Sequence, residues 1–191
     1  MEETPIRDAV LADAGAILDI YRCYVEKTAV TFEWDVPSLE EMKSRMARTG
    51  ERYPYLVAER NSRIVGYAYA GPFVGRTAYD WCAEMTIYLA PGERGRGTGR
   101  RLYGEMEKRL AAMGLTTLYA CIGVPQKDDE YLTHQSANFH AHMGYRQVGL
   151  FENCGYKFGR WYHMIWMEKR IAPAKAPMEA VKWREKPIQE R

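Results

Sequence analysis

Six consecutive residues, Arg94-Gly95-Arg96-Gly97-Thr98-Gly99, stand where a β-rich run, WCAEMTIYLAP, hands over to a helical one. Glycines let the backbone turn tightly and approach a ligand closely. The first N–H groups of the helix are free and carry the positive end of its dipole. Such a turn suits an anion, a pyrophosphate in particular, and Arg94, Arg96, Arg100 and Arg101 place four positive charges around it. A tight turn with solvated arginines is the plainer alternative; three glycines, the bases and a helix without a side-chain cap together favour phosphate. A Walker A loop would need a lysine that is missing. A Rossmann fingerprint would need G-x-G-x-x-G, which usually sits on the first strand of its domain, whereas the spacing here is G-x-G-x-G in mid-chain.

Ten residues upstream, Glu84 interrupts a run that otherwise reads as buried. Burial beside Trp81 and Met85 would raise its proton affinity towards that of a useful base. From the strand alone, a carboxylate on an exposed face or paired with an arginine fits equally well.

The elements that position these groups follow from periodicity. Ile17, Ile20, Tyr21, Tyr24 and Val25 mark a helix over 14–25, with Asp13 available as its cap. A loop with Phe32 and Trp34 follows. Ser38 and Glu41 form a capping box opening a helix that stops at Gly50. Strands are expected over 55–60 and 63–70, joined at Asn61-Ser62 and broken by Gly71-Pro72. Leu102, Met106, Leu110 and Met113 place a helix over 98–113, and 116–123 is a further strand, so 81–123 is a β-α-β unit with a right-handed crossover. A short helix over 134–143 precedes strands at 145–152 and 160–169. Residues 1–171 form one domain, and 172–191, with three prolines, reads as an irregular C-terminal extension.

Composition excludes several classes of function. The 191 residues carry 27 Lys+Arg against 25 Asp+Glu, with no dense basic block for nucleic acid or an anionic membrane. No apolar run approaches a membrane span, and the acidic N-terminus lacks a secretory pattern, so a cytoplasmic protein is expected. The four cysteines show no C-x-x-C and no Cys/His cluster; they read as small buried hydrophobes, with neither a disulfide framework nor a metal site.

Arg94-x-x-Gly97-x-Gly99, following Glu84-Met-Thr-Ile-Tyr-Leu, resembles the signature of the GNAT superfamily of N-acetyltransferases. The segments GYAYAGPF, RTAYDW, RGRGTGRRLY, FHAHMGY and GYKFGRWYHMIWME, in that order, are similar to the phosphinothricin and methionine sulfoximine acetyltransferases within it. The resemblance runs from about Ile6 to Ile171. It implies an α/β (α+β) fold with a mixed, splayed central sheet flanked by helices, acetyl-CoA as co-substrate without a metal, and a homodimer. The implied reaction is direct acetylation of the α-amine of a small amino-acid analogue. Another amine (an antibiotic, a polyamine or a protein N-terminus) and a non-enzymatic acyl-CoA-binding module remain alternatives.

The resemblance also assigns residues. Glu84 matches a proposed general base, and His140 matches a histidine placed to protonate the departing thiolate. Gly95 to Arg100, with Arg94, would hold the pyrophosphate. The backbone of Ile87, Tyr88 and Leu89 would pair with the pantetheine arm, and Ser136 would add a contact. That last contact is less well defined, because Thr133 stands where an asparagine is common. Arg76 would pair with the acceptor's carboxylate or phosphinate. Phe32, Phe73 and Tyr79 lie in loops expected to converge as apolar walls, and Glu33 is placed to meet the amine.

Overall fold

The computed structural model describes residues 4–185 and 187–190. Its strands are β1 (Ile6–Asp8), β2 (Tyr55–Arg60), β3 (Arg63–Pro72), β4 (Cys82–Leu89), β5 (Thr117–Val124), β6 (Arg146–Lys157) and β7 (Arg160–Arg170). The helices are α1 (Ala14–Lys27), α2 (Leu39–Gly50), α3 (Thr98–Met113) and α4 (Gln135–His142). The strands form one sheet in the order β1-β2-β3-β4-β5-β7-β6. All neighbours are antiparallel except β4 and β5, the strands of the expected β-α-β unit.

That parallel pair holds only from Cys82↔Thr117 to Glu84↔Tyr119. Beyond Glu84 the strands separate, while β4 continues to pair with β3 as far as Leu89↔Gly66. The sheet is therefore splayed at its centre.

Side chains alternate across a strand, and each face buries a different layer. Leu56, Ala68, Ala83, Met85, Leu118 and Ala120 pack against Leu102, Met106 and Leu110 of α3. On the opposite face, Tyr55, Val57 and Tyr67 meet Ile17, Tyr21, Met42 and Met46 of α1 and α2. The small residues of β3 and β4 let α3 lie close to the sheet. The tyrosines fill the thicker layer on the other side, where the rings of Tyr55, Tyr67 and Tyr69 stack.

Several local expectations change. Asn61 and Ser62 both take positive φ, as the tight hairpin requires. Gly71-Pro72 does not break β3, which runs on to pair Pro72 with Ala83. Strand β6 extends to Lys157; register shifts at Gln147/Gly149 and Phe151/Gly155 interrupt its alternation and hid that extension. Asp13 makes no cap bond to α1; its carboxylate accepts from Arg7 and from the Val10 N–H. The cysteines are free but not buried, since Cys121 and Cys154 are exposed and Cys23 and Cys82 half-buried.

The described residues after Ile171 contain neither helix nor strand, yet the segment is docked at several points. Trp81 Nε1 donates to Glu179 O, Trp183 packs edge-on against Tyr53, and Ile188 is buried in the α1–α2 layer. No helix among the described residues is long and apolar enough to cross a membrane.

Candidate active site

The separation of β4 and β5 opens a cavity of about 810 Å³ at the end of the sheet where α3 begins. Ile87 and Leu89 of β4, Arg94, Gly95, Gly97, Gly99 and Arg100 of the turn, Gln135, Ser136 and Phe139 of α4 and Met143 after it line the cavity, with Tyr24 and Val30, but Arg96 and Thr98 do not. The turn has the conformation its glycines predict: Gly95 and Gly97 have φ of 77° and 81°, and Gly97 caps α3 without a side-chain bond. Those φ values are unfavourable for residues with a Cβ, and the leading N–H groups of a 16-residue helix are left to an external acceptor. Gly99 serves a different purpose. An added Cβ there would lie 3.3 Å from Phe139, so its absence lets α3 pack close to α4.

Arg94 Nη1 donates to Gln135 Oε1 at 2.7 Å and links the turn to α4 across the cavity mouth. Arg96 lies 3.8 Å from the buried Glu93, while Arg100 is exposed. The Thr98 hydroxyl, in the first turn of α3, is buried with no hydrogen-bond partner among the described residues, and Thr98 does not line the cavity. Free helix N–H groups and the surrounding arginines together fit a pyrophosphate. Ser136 and Thr133 both line the cavity, so the departure at Thr133 places a shorter hydroxyl in the wall.

Strand β4 contributes less backbone than expected. The Tyr24 hydroxyl donates to Leu89 O at 2.8 Å and accepts from Leu89 N–H at 3.3 Å. Backbone groups alternate in direction along an antiparallel strand, so Tyr88 turns its groups to β3 and Ile87 turns its groups to the gap. Of the three expected contributors, Ile87 presents the open edge. Tyr88 spends its side chain in the core against Tyr21, Tyr24 and Tyr67. Tyr24 is a site residue that periodicity concealed, because it occupies an ordinary apolar position of α1.

Glu84 is half-buried at the last paired position before the splay, and burial raises its carboxyl above the usual range. Because Ala83 and Met85 face α3, alternation puts Glu84 on the opposite face with Tyr69 and Cys121, and its charge adds, after desolvation, to the raised pKa of both. Tyr119, Cys121 and Gly123 follow one another along that face of β5. Phe73 stacks on Tyr119 with centroids 3.9 Å apart and meets Trp166 and Tyr79 edge-on. Arg76, between Phe73 and Tyr79 in the chain, is exposed and makes no ion pair among the described residues.

Phe32 does not join that cluster. Its ring sits over Gly123 and Gly155 and stacks on Tyr162. Tyr119 and Gly123 are four residues apart, about 13 Å at ~3.3 Å per residue. The predicted walls therefore stand at opposite ends of a floor, with Cys121 between them and Glu84 level with Tyr119 at the Phe73 end. Glu33 is already engaged, its carboxylate 2.7 Å from Arg45, so it is not a free partner for an amine.

His140 is also placed differently from expectation. Its side chain lies on the core side of α4, 3% exposed, with Nε2 bonded to the Tyr103 hydroxyl and Nδ1 to Ser136 O, both at 2.7 Å. Burial lowers its pKa to about 4 and keeps it neutral. Two residues further on, His142 lines the cavity instead. An imidazole with both nitrogens engaged and no charge does not present a proton to a thiolate in the cleft. Among the described residues no cluster of His, Cys, Asp and Glu is arranged to hold a metal.

Known proteins are similar to this chain in sequence and fold. The chain is 35% identical over 170 residues to a phosphinothricin N-acetyltransferase of Streptomyces viridochromogenes, covering 88% of this chain and 89% of that one. It is 30% identical over 173 residues to an L-methionine sulfoximine/L-methionine sulfone acetyltransferase of Pseudomonas aeruginosa, covering 90% and 96%. A crystal structure of a phosphinothricin acetyltransferase from Sinorhizobium meliloti in complex with acetyl-CoA superposes with a TM-score of 0.84 at 35% identity, covering 94% and 96%. Residues 6–166 match the acetyltransferase (GNAT) domain, and with the splayed sheet, the glycine turn and these relatives the chain belongs to the GNAT family of acetyltransferases.

Proposed function

We propose that this protein transfers the acetyl group of acetyl-CoA to the α-amine of a small amino-acid analogue of the phosphinothricin or methionine sulfoximine class. The observation that carries the proposal is the position of Glu84, a carboxyl of raised proton affinity set where β4 and β5 part. It lies three residues along β4 from Ile87, which lines the cavity, and level with Tyr119, on which Phe73 stacks at one end of the acceptor floor.

Acetyl-CoA supplies the acetyl group as an activated thioester. The turn from Arg94 to Arg100 holds the pyrophosphate, and the Ile87 edge groups orient the arm that reaches Glu84. Glu84 takes a proton from the acceptor's ammonium, directly or through one water, leaving a neutral nitrogen to attack. A C–N bond forms and the C–S bond breaks. The nitrogen loses a second proton, and the departing sulfur ends as a thiol. Arg76 pairs with the acceptor's carboxylate or phosphinate, while Phe73 and Tyr79 exclude water beside it.

The homodimer is supported by an exposed apolar strip on the edge strand β6, where Val148, Leu150, Phe151 and Tyr156 are all uncovered, with Trp161 beside them on β7. Four unpaired cysteines suit a reducing compartment such as the cytoplasm. The decisive experiment is acetyl-CoA-dependent thiol release measured over phosphinothricin, methionine sulfoximine, methionine sulfone and the common amino acids. Turnover of the first three above the rest is expected, and turnover of none of them overturns the assignment.

A further inference from the structure

The segment from Thr28 to Glu33 borders both halves of the site. Val30 lines the cavity, and Phe32 forms one end of the acceptor floor. It has no helix or strand of its own, so its shape is imposed by neighbours. The Ala29 N–H donates to Tyr131 O, and the Tyr21 hydroxyl meets Thr31 Oγ1 at 2.9 Å.

The third anchor is Lys157, at the end of β6. Its side chain is 2% exposed, and Nζ donates to Thr28 O and Thr31 O, each at 2.9 Å. It forms no ion pair among the described residues. Glu33, in the same segment, favours its charge without bonding it, and the Phe158 ring lies 5.1 Å from Nζ. Burying an ammonium is costly, and the two charge-assisted bonds to carbonyls offset that cost only while the segment keeps this shape. An apolar side chain of similar length would fill the space without the desolvation penalty.

Two residues earlier, on the same strand, Gly155 completes the mould. A Cβ at that position would run into the Phe32 ring. The end of β6 therefore holds the segment by two independent means, a cation on its carbonyls and a gap for its ring.

We propose that Lys157 is a positioning residue that sets the shape of Thr28–Glu33, and thereby the fit of the acceptor amino acid at the Phe32 end of the floor. The inference rests on the acetyl-transfer assignment for its kinetic consequence, but not for its structural one. Lys157→Met should raise the acceptor KM about tenfold while acetyl-CoA binding, by calorimetry, stays within about threefold, the split expected when one ligand's contacts are misplaced. Gly155→Ala, displacing the ring with Lys157 intact, should give the same split. Hydrogen exchange supplies a readout independent of turnover: amides of residues 29–33 should exchange at least about tenfold faster in Lys157→Met, with α3 and β5 unchanged.

Unchanged exchange over 29–33 overturns the proposal whether or not any acceptor is turned over. So does an unchanged acceptor KM in both variants of an active enzyme, or a parallel loss of acceptor binding, acetyl-CoA binding and melting temperature in both. A wild-type protein inactive on every amino acid, with exchange accelerated as expected, refutes the acceptor assignment and leaves the positioning role standing.

Discussion

The Tyr103 hydroxyl and His140 Nε2 are hydrogen-bonded at 2.7 Å on the core side of α4, behind the cavity that this helix walls. The pairing satisfies two polar groups in a layer otherwise filled by Phe139, Tyr145 and α3. Its main consequence concerns protons bound to the fold rather than protons given to a substrate.

An unfolded histidine charges below about 6.5, whereas buried His140 stays neutral until about 4. The unfolded chain thus binds the proton first, and His140 contributes stability above 6.5 that is lost as pH falls towards 4. The loss amounts to ~3 kcal/mol at ~1.4 kcal/mol per unit. Urea midpoints measured from pH 7.5 to 4.5 should fall more steeply for the wild type than for His140→Gln. Parallel curves would show that His140 is not buried neutral.

Glu84 shifts the opposite way, and its sign fixes two outcomes. A carboxyl raised by burial is protonated at low pH and inactive as a base, so kcat/KM should rise with pH through a limb above the ordinary carboxylate range. Glu84→Gln should remove that limb and lower kcat by ~10²-fold or more, leaving acetyl-CoA affinity nearly intact. Ionisation of a desolvated carboxyl opposes folding, so the variant's melting temperature at pH 7.5 should equal or exceed the wild type's. Unchanged turnover removes Glu84 from the base role.

Gly97 combines a left-handed φ with a place in the wall of the cavity, where we propose the pyrophosphate binds. Gly97→Asp adds backbone strain of about 1–2 kcal/mol and a negative charge beside the pyrophosphate. Acetyl-CoA binding should disappear in calorimetry while the fold persists by circular dichroism. Retained binding would place the pyrophosphate elsewhere.

Ile188 lies against Gly50 at the end of α2, where any Cβ would collide with it. Ile188→Ala should cost ~2–5 kcal/mol, the usual range for emptying such a site, and Gly50→Ala should destabilise by displacing the same side chain. Deleting residues 172–191 should lower the melting temperature at least as much. An unaffected melting temperature in the deletion would show that the segment is not docked in solution.

What the sequence settled by itself are the features built from neighbouring residues. The left-handed glycine turn from Arg94 to Gly99, the capping bond at Ser38, the hairpin at Asn61-Ser62 and the β-α-β unit are each set by local backbone preference and side-chain period. Long family-like segments added the fold, with a splayed central sheet and Glu84 as the expected general base. Tertiary structure decided what meets across distance. Lys157 reaches Thr31 from 126 residues away, and Tyr24 takes the edge of Leu89 from 65. Periodicity places two histidines on different faces of α4, but only the packing of Tyr103 shows that His140 faces the core and His142 the cavity. Phe32 and Phe73 looked equivalent as loop aromatics, and the register of β5 puts them at opposite ends of one floor. Contacts of this kind depend on how layers settle against each other, and residue order alone does not encode that closely enough to read.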